Sequence, residues 1–311
     1  MLQQTQVKTV LPFYPRFLER FPTPAALARA GTAQVLSAWS GLGYYRRARD
    51  LHAAAGLVVR EHAGRVPSDP EQFGRLPGIG RYTRAAVLSI GFGAKLAVLD
   101  GNVARVLSRV FALPVRVRDP GGARVLWAVA EALMTEDSPG DWNQALMELG
   151  ALICTPRLPR CGQCPIQRHC RARALGRVAE FPPAAPRREA VRVRRAVALI
   201  SRGTRLLMVR REGALLDGLW EPPGVELSPG EDARAALHAE LARLGVRVTL
   251  ESTREIVRHT ITHRSIRVEV WRGSAATGTR ATAARFVDVR RARPAVPLSG
   301  LAIKLVRAGP R

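Results

Sequence analysis

The clearest sign of chemistry in the sequence is a group of four cysteines, Cys154, Cys161, Cys164 and Cys170, and the chain contains no others. A disulfide framework would spread its cysteines to close longer loops. Four thiolates on the single loop 154–170 instead indicate a metal site, since zinc and an iron–sulfur cluster both accept four cysteine ligands. A lone Cys-x2-Cys knuckle favours the iron–sulfur cluster, because zinc ribbons carry two knuckles that lie far apart.

A second candidate site is the turn Leu76-Pro-Gly-Ile-Gly80 between two predicted helices. We expect Gly78 and Gly80 to take positive φ and to let the backbone approach a ligand closely. The amides of the turn and the N-terminus of the following helix suit a phosphate. The motif alone is only moderately specific, because any connection between two helices can use such a turn.

Asp100 is the third candidate, within Val98-Leu-Asp-Gly-Asn102. An aspartate at the start of a helix usually caps it. A carboxylate at this point could also stabilise a developing sugar cation, as in glycoside hydrolysis. The other motifs of the chain decide between these two interpretations.

The charge of the chain indicates a polyanionic partner. Its 311 residues include 49 Lys and Arg against 25 Asp and Glu, a formal net charge of +24. Nucleic acid is the first candidate, and a well-solvated Arg-rich surface is the alternative. The apolar share of 47% excludes a wholly disordered chain. No apolar run approaches the roughly 18 residues of a membrane helix, and no secretory signal opens the chain.

The elements that must position these residues change character along the chain. The first half is predicted to be all-α, with helices at 2–11, 12–21, 24–39, 44–61, 84–90, 126–134 and 142–153, a short one after Asp69 and another opening at Asp100. The second half is predicted to be α+β, with strands at 191–201, 206–211, 246–250, 254–261, 265–271 and 284–289 and a helix at 233–244. We therefore predict a multi-domain protein with an all-α domain over 1–180, a linker over 181–189 and an α+β domain over 190–311.

The helix–hairpin–helix, the Leu-Asp-Gly-Asn-Val-x-Arg-Val stretch over 99–106 and the four-Cys loop together resemble the endonuclease III superfamily of DNA glycosylases. Gln3-Gln-Thr-Gln-Val7 and Gly41-Leu-Gly-Tyr-Tyr45 narrow the resemblance to the adenine DNA glycosylases. The resemblance implies hydrolytic removal of adenine mispaired with 8-oxoguanine or guanine in double-stranded DNA. It also implies a [4Fe-4S] cluster on the four cysteines.

The resemblance implies roles for three residues in catalysis. Adenine must leave the base stack, accept a proton and depart from an oxocarbenium-like sugar. Asp100 matches the carboxylate that faces the sugar cation, and Asn102 lines the same site. Tyr82 stands where relatives with lyase activity carry the lysine that forms a Schiff base, so we predict a monofunctional hydrolase.

The resemblance also implies contacts with DNA. Gln3, Gln4 and Thr5 match a segment beside the lesion, and Gln4 and Tyr44 match side chains that insert into the duplex and hold it kinked. Leu42 is expected beside 8-oxoguanine, while the adjacent Tyr45 is expected in the core. The hairpin residues Gly78 and Gly80 are expected at the phosphate backbone.

One element of the family pattern falls outside this sequence. The glutamate that protonates adenine aligns just before Met1, and the first glutamate present is Glu19. Either the true start lies upstream, or the protein binds without cleaving. For the chain as printed we expect weak activity at best and an exposed apolar seam.

The second half resembles a Nudix domain, through Trp220-Glu-Pro-Pro-Gly224 and a helix that ends at Leu244-Gly-Val246. The carboxylate pairs that hold a divalent metal read His238-Ala239 and Ala242-Arg243 here, so we do not expect nucleotide hydrolysis. The family's lesion-reading loop matches Ile261-Thr262-His263, which assigns DNA contacts to Thr262 and His263.

The expected protein is thus a cytoplasmic, nucleoid-associated monomer without membrane contact. Three alternatives remain at this point. They are a bifunctional lyase of the endonuclease III type, a non-catalytic protein that binds 8-oxoguanine:adenine pairs, and a Nudix hydrolase with a DNA-targeting arm.

Overall fold

A computed structural model describes residues 1–184, 189–213, 216–261, 263–276, 279, 284–289 and 296–308. Two compact units divide the chain. Met1–Gly64 together with Arg188–Arg311 form unit 1, and Arg65–Arg187 form unit 2. The second break lies within the predicted linker, whereas the break after Gly64 has no counterpart in the predicted boundaries.

Contacts far apart in sequence explain why the first 64 residues belong with the C-terminal part. The Tyr45 hydroxyl donates to the Leu298 carbonyl at 2.9 Å, and the Arg49 guanidinium donates to the Asp217 carbonyl at 2.7 Å. Leu219 packs into the same apolar core as the fully buried Trp39. Sequence patterns do not reveal such pairings, because they depend on the folded chain.

Unit 1 begins with five helices, which are α1 (Val7–Val10), α2 (Tyr14–Arg20), α3 (Pro24–Arg29), α4 (Thr32–Trp39) and α5 (Arg46–Glu61). The predicted helix over 24–39 is wrong as one element, because Ala30 and Gly31 take extended backbone between α3 and α4. The predicted helix over 2–11 shortens to a single turn, since Gln4 has a φ of 56°.

The described residues of unit 2 form helices and connecting loops, without a strand. Its α-helices are α6 (Pro70–Gly74), α7 (Arg81–Phe92), α8 (Gly101–Val110), α9 (Pro120–Ala132), α10 (Pro139–Glu148) and α11 (Arg171–Ala174). Proline at the first position starts α6, α9 and α10, as its fixed φ favours. A π-helical turn, Leu149–Ile153, links α10 to the cysteine loop. The prediction that the first half is all-α is confirmed.

The rest of unit 1 is a mixed sheet with two helices. Its elements are β1 (Val191–Arg202), β2 (Arg205–Arg210), β3 (Trp220–Glu221), β4 (Gly224–Leu227), α12 (Ala233–Arg243), β5 (Glu251–Ile261), β6 (Arg264–Ser274), β7 (Ala284–Asp288) and α13 (Gly300–Ala308). The strand order is β3-β2-β1-β6-β5, with β4 paired to β1 and β7 to β2. The β1–β6 pair is parallel and the other pairs are antiparallel.

The middle of the central strand β1, residues 195–200, is buried on both faces. Ala196, Ala198 and Ile200 pack into the core that contains α12, while Val197 and Leu199 pack into the core that contains α13. Successive side chains of a strand point to opposite faces, so a strand covered on both sides must be apolar throughout. The α+β prediction for the second half is confirmed.

Two details of the sheet differ from the prediction. Residues 246–250 form no strand, although Val246 and Leu250 are buried in the core beside α12. Their apolar spacing reflects burial of an irregular segment. The short strands β3 and β4 were not predicted, because Pro222 and Pro223 interrupt the pattern between them. No helix in the described part of the chain is long and apolar enough to cross a membrane.

Candidate functional site

Asp100 stands at the N-terminus of α8 and uses both carboxylate oxygens. Its Oδ1 accepts the backbone N–H groups of Asn102 at 2.8 Å and Val103 at 2.7 Å, and its Oδ2 accepts the Asn102 side-chain Nδ2–H at 3.1 Å. Asp100 is therefore a helix cap, as the simpler interpretation held. The side chain is half-buried, and its oxygens keep free lone pairs, since a carboxylate offers about four acceptor sites.

Tyr82 lies on α7, close enough to Asp100 for the carboxylate charge to affect the pKa of its phenol. Burial raises the pKa of the Tyr82 phenol, and the neighbouring Asp100 carboxylate raises it further. The hydroxyl donates to the Met147 sulfur at 3.4 Å. Tyr82 is thus a neutral phenol at physiological pH, and it brings no amine to this site.

A chain of hydrogen bonds joins Asp100 to the cysteine loop. Asn102, which orients the Asp100 carboxylate, accepts at Oδ1 from Arg105 Nη2 at 2.9 Å. Arg105 in turn donates through Nε to the Cys154 carbonyl at 2.7 Å and through Nη2 to the Gly150 carbonyl at 2.8 Å. The helix that positions the carboxylate therefore also holds the first cysteine of the loop.

The four cysteines line one small cavity of about 20 Å³, and each is half-buried. Burial raises the pKa of the Cys164 thiol, and its three cysteine neighbours raise it further. Arg109, which is almost fully buried, donates to the Cys154 sulfur at 3.3 Å and to the Thr155 carbonyl at 2.8 Å.

This donor set suits a group that prefers soft thiolate ligands. As the side chains lie, however, no three His, Cys, Asp or Glu groups among the described residues are arranged to hold a metal ion. The convergence of all four thiols on one cavity is the observation that fits a cluster, and the thiols would have to turn inward to ligate it.

The predicted positive φ in the glycine turn is confirmed at Gly78 but not at Gly80. Gly78 has a φ of 76°, a left-handed conformation that glycine adopts without strain. Gly80 is extended, with φ of −93°, so the expected positive φ is wrong there. Gly80 is the N-cap residue of α7, and N-cap residues take extended backbone. A Cβ at Gly80 would meet nothing within 4 Å, so the helix N-terminus stays open to a ligand.

Asn143 supports the segment that leads into Asp100. Its side chain is buried, accepts the Val98 N–H at 3.1 Å, and donates to Ser89 Oγ and the Leu96 carbonyl, both at 2.8 Å. These bonds hold an extended segment that pairs with no strand. Asn143 was not singled out from the sequence, and Arg105 was given no role there beyond its place in the 99–106 stretch, because both act through distant partners.

We expect Asn143→Ala to lower the free energy of unfolding by about 3 kcal/mol, because it leaves buried backbone groups without partners. Gln144→Ala is the matched control, since that amide bonds only within its own helix at 3.3 Å. Urea unfolding of both variants measures the difference. Equal stabilities would mean that Asn143 does not support the segment.

The predicted DNA contacts near the N-terminus differ in exposure. Gln4 and Tyr44 are exposed, while Gln3 and Thr5 are half-buried. Leu42 is only 5% exposed and lies in the core of unit 1, so the structure does not favour its expected contact with a base. The exposed positions are those expected to insert into a duplex.

Large apolar side chains are exposed along the first helices, and they are Leu2, Val7, Leu11, Tyr14 and Leu18. Tyr45 lies in the core as predicted, and its hydroxyl also accepts the Gly41 N–H at 3.2 Å.

The loop expected to read the lesion joins β5 to β6. Thr262 lies outside the described residues. His263 is exposed, and its carbonyl accepts the Val191 N–H at 2.9 Å, which ties the loop to the start of β1. Its place at a strand connection leaves the side chain accessible to a ligand.

Unit 1 also contains a cavity of about 810 Å³ beside α12. Its lining includes Arg195, Arg210, Arg211, Trp220, Glu221 and Arg243. Glu221 is buried and pairs with Arg195 at 2.8 Å, and Glu240, the only acidic residue of α12, pairs with Arg243 at 2.9 Å. Two of the three carboxylates in the lining, those of Glu221 and Glu240, are therefore paired with arginine, which does not support the Nudix hydrolase alternative.

Comparisons with known proteins cover both halves of the chain. The sequence profile of the HhH-GPD superfamily of base excision DNA repair proteins matches residues 1–119, and that of a NUDIX domain matches residues 195–308. The adenine DNA glycosylase of Homo sapiens is 37% identical over 325 residues, which cover 87% of this chain and 59% of the human protein. That of Mycolicibacterium smegmatis is 45% identical over 57% of this chain and 59% of its own length.

Among solved structures, a thermostable thymine-DNA glycosylase matches with a TM-score of 0.50 and 30% identity, covering 55% of this chain and 78% of that one. The chain spans between 38% and 59% of the length of the curated relatives it matches. The HhH-GPD match contains the glycine turn and Asp100, and it ends before the cysteine loop. Residues 1–119 thus belong to the HhH-GPD superfamily of base excision DNA repair proteins and residues 195–308 to the NUDIX domain family, and the chain is similar over most of its length to curated adenine DNA glycosylases.

Proposed function

We propose that this protein is an adenine DNA glycosylase that hydrolyses the N-glycosidic bond of adenine paired with 8-oxoguanine or guanine. The observation that carries the proposal is the Asp100 carboxylate, oriented by the N-terminus of α8 and by Asn102 next to a neutral Tyr82. The curated relatives, which are named adenine DNA glycosylases, support adenine as the base.

In the proposed reaction the C–N bond to adenine breaks, adenine leaves with a proton on a ring nitrogen, and water supplies the oxygen that bonds to the sugar. Asp100 stabilises the positive charge that develops on the sugar, as a carboxylate does in glycoside hydrolysis. Asn102 keeps the carboxylate turned toward the reacting carbon. We assign the protonation of adenine to none of the residues described around Asp100.

Tyr82 supports a hydrolase over a lyase. A lyase of this superfamily needs an amine that attacks the sugar carbon and forms a Schiff base. The residue at the matching position is a phenol, and no lysine occurs between Lys8 and Lys95. Strand cleavage through a covalent imine is therefore not expected at this site.

For the DNA contacts, we propose that the open N-terminus of α7 at Gly80 binds a phosphate. Gln4 and Tyr44 are proposed to insert into the duplex, where the new contact area offsets the cost of unstacking. Thr262 and His263 are proposed to read the base opposite adenine. The net charge of +24 supports attraction to the phosphate backbone.

We further propose that Cys154, Cys161, Cys164 and Cys170 hold a [4Fe-4S] cluster. Thiolates hold such clusters in proteins, and here a bound cluster would fix the loop from which Arg105 receives its backbone partners. The buried Arg109 would donate a hydrogen bond to one ligand sulfur. The proposed role of the cluster is to keep α8 and the loop rigid.

This assignment predicts the metal content of the purified chain. We expect about four iron atoms and a matching amount of acid-labile sulfide per chain. Cys164→Ser should lower both and broaden thermal unfolding, because one ligand is lost. Iron analysis with parallel zinc analysis makes the measurement, and stoichiometric zinc without sulfide would contradict the cluster.

The experiment that tests the function identifies the released base. Duplexes carry adenine opposite 8-oxoguanine, guanine or thymine, and a further duplex carries thymine opposite guanine. We expect free adenine from the first two only, and no covalent adduct on addition of borohydride. Release of thymine, or a trapped protein–DNA adduct, would contradict an adenine-specific hydrolase.

A further inference from the structure

Arg47, in the first turn of α5, joins two segments that are distant in sequence. Its guanidinium donates through Nη1 to the carbonyls of Met1, at 2.7 Å, and of Gln3. Nη2 donates to Thr5 Oγ1 at 2.8 Å and to the Gly43 carbonyl at 3.3 Å. One side chain thus binds residues 1–5 on one side and the loop before α5 on the other.

The acceptors of Arg47 flank two exposed side chains with unusual backbone. Gln4 and Tyr44 have φ of 56° and 49°, and non-glycine residues rarely adopt such angles. Gln3 and Thr5 stand on either side of Gln4, and the carbonyl of Gly43 precedes Tyr44. Arg47 therefore donates hydrogen bonds to the backbone next to both exposed side chains, Gln4 and Tyr44, which we call the two tips.

A buried aromatic residue, Trp39, contacts both Arg47 and the Gly43 carbonyl. Trp39 is only 1% exposed, and its Nε1–H donates to the Gly43 carbonyl at 3.1 Å. The Arg47 guanidinium lies over the rings of Trp39 and Tyr44, with its carbon 5.4 and 5.3 Å from the ring centres. Because the guanidinium contacts both rings, it has little freedom to rotate.

We propose that Arg47 is a positioning residue that couples Gln4 and Tyr44, so that both tips enter a DNA duplex as one preformed unit. The proposal rests on the proposed function, because it deepens the account of the duplex contacts. The coupling requires the planar guanidinium of arginine, because its separate nitrogens donate to acceptors in two segments at once. Lysine keeps the charge but offers its donors from a single nitrogen.

The first test asks whether Arg47 holds both segments, without any reference to DNA. Hydrogen–deuterium exchange is followed in the full chain, in Arg47→Lys and in the control Arg60→Lys, which changes an exposed arginine at the far end of α5. We expect amides of residues 1–6 and 41–45 to exchange about tenfold faster in Arg47→Lys alone. Unchanged exchange in either segment would overturn the coupling.

The second test asks whether the coupling serves recognition. Binding is compared between a duplex with an 8-oxoguanine:adenine pair and an undamaged duplex. Arg47→Lys should lose about tenfold of the preference for the damaged duplex, while affinity for undamaged DNA stays within about twofold because the charge is kept. Thr5→Ala, which removes one acceptor, should shift the preference in the same direction by less.

The two tests separate the failure of this inference from the failure of the proposed function. Equal loss of affinity for both duplexes in Arg47→Lys would show a general electrostatic contact and would overturn the positioning role. If the parent chain itself shows no preference for the damaged duplex, the proposed function fails. The exchange measurement still decides whether Arg47 couples the two segments.

Discussion

Asp100→Asn should lower the rate of adenine release by about a thousandfold, the size of effect seen when one preorganised electrostatic group is removed from an active site. Asparagine is nearly the same shape and loses only the negative charge that would face the sugar cation. It is also as good an N-cap as aspartate, so the stability of the protein should change little. Single-turnover base release and thermal unfolding together measure the two effects.

The chain offers a matched control for this variant. Asp69 caps α6, accepting the N–H groups of Glu71 at 3.1 Å and Gln72 at 2.9 Å. Asp69→Asn makes the same chemical change at another cap of unit 2, and adenine release should stay unchanged. If Asp100→Asn keeps its activity, or if it loses activity only because it unfolds, Asp100 is a cap and nothing more.

Arg105→Met should lower adenine release by about thirtyfold to a hundredfold, because Asn102 loses its side-chain partner and Asp100 loses part of its orientation. Burial lowers the pKa of Arg105, and the guanidinium bonds four partners. The carbonyls of Cys154 and Gly150 lose the Arg105 donor in this variant, which should also lower the free energy of unfolding by about 1–3 kcal/mol.

Arg124→Met is the control for Arg105→Met, since Arg124 is exposed on α9. Base release is measured beside iron content, so that loss of a cluster is seen directly. A fall in rate at full iron content is the expected result. Unchanged rates with Arg105→Met would show that the hydrogen-bond chain from Asp100 to Cys154 has no part in the reaction.

Short-range patterns predicted much of this molecule. The cap at Asp100, the short helix after Asp69 and the strands at 191–201 and 206–211 depend on residues a few positions apart, and the structure contains them. Such features need little knowledge of the remainder of the chain.

Features that depend on distant partners could not be predicted. Arg47 and Asn143 are ordinary helix residues in the sequence, and Arg105 enters only as one letter of the 99–106 stretch. Only the fold brings their hydrogen-bond partners together. The break after Gly64 has the same origin, since it follows from contacts between Tyr45 and Leu298. The error at Gly80 is different, because a cap conformation replaced an expected positive φ.

The measurement that tests the central claim most directly is single-turnover adenine release from an 8-oxoguanine:adenine duplex by the 311-residue chain, with binding followed in parallel. We predict preferential binding of this duplex and adenine release, however slow, that disappears in Asp100→Asn and persists in Asp69→Asn. Tight binding without any Asp100-dependent release would contradict a glycosylase and identify the chain as a protein that only binds the mispair.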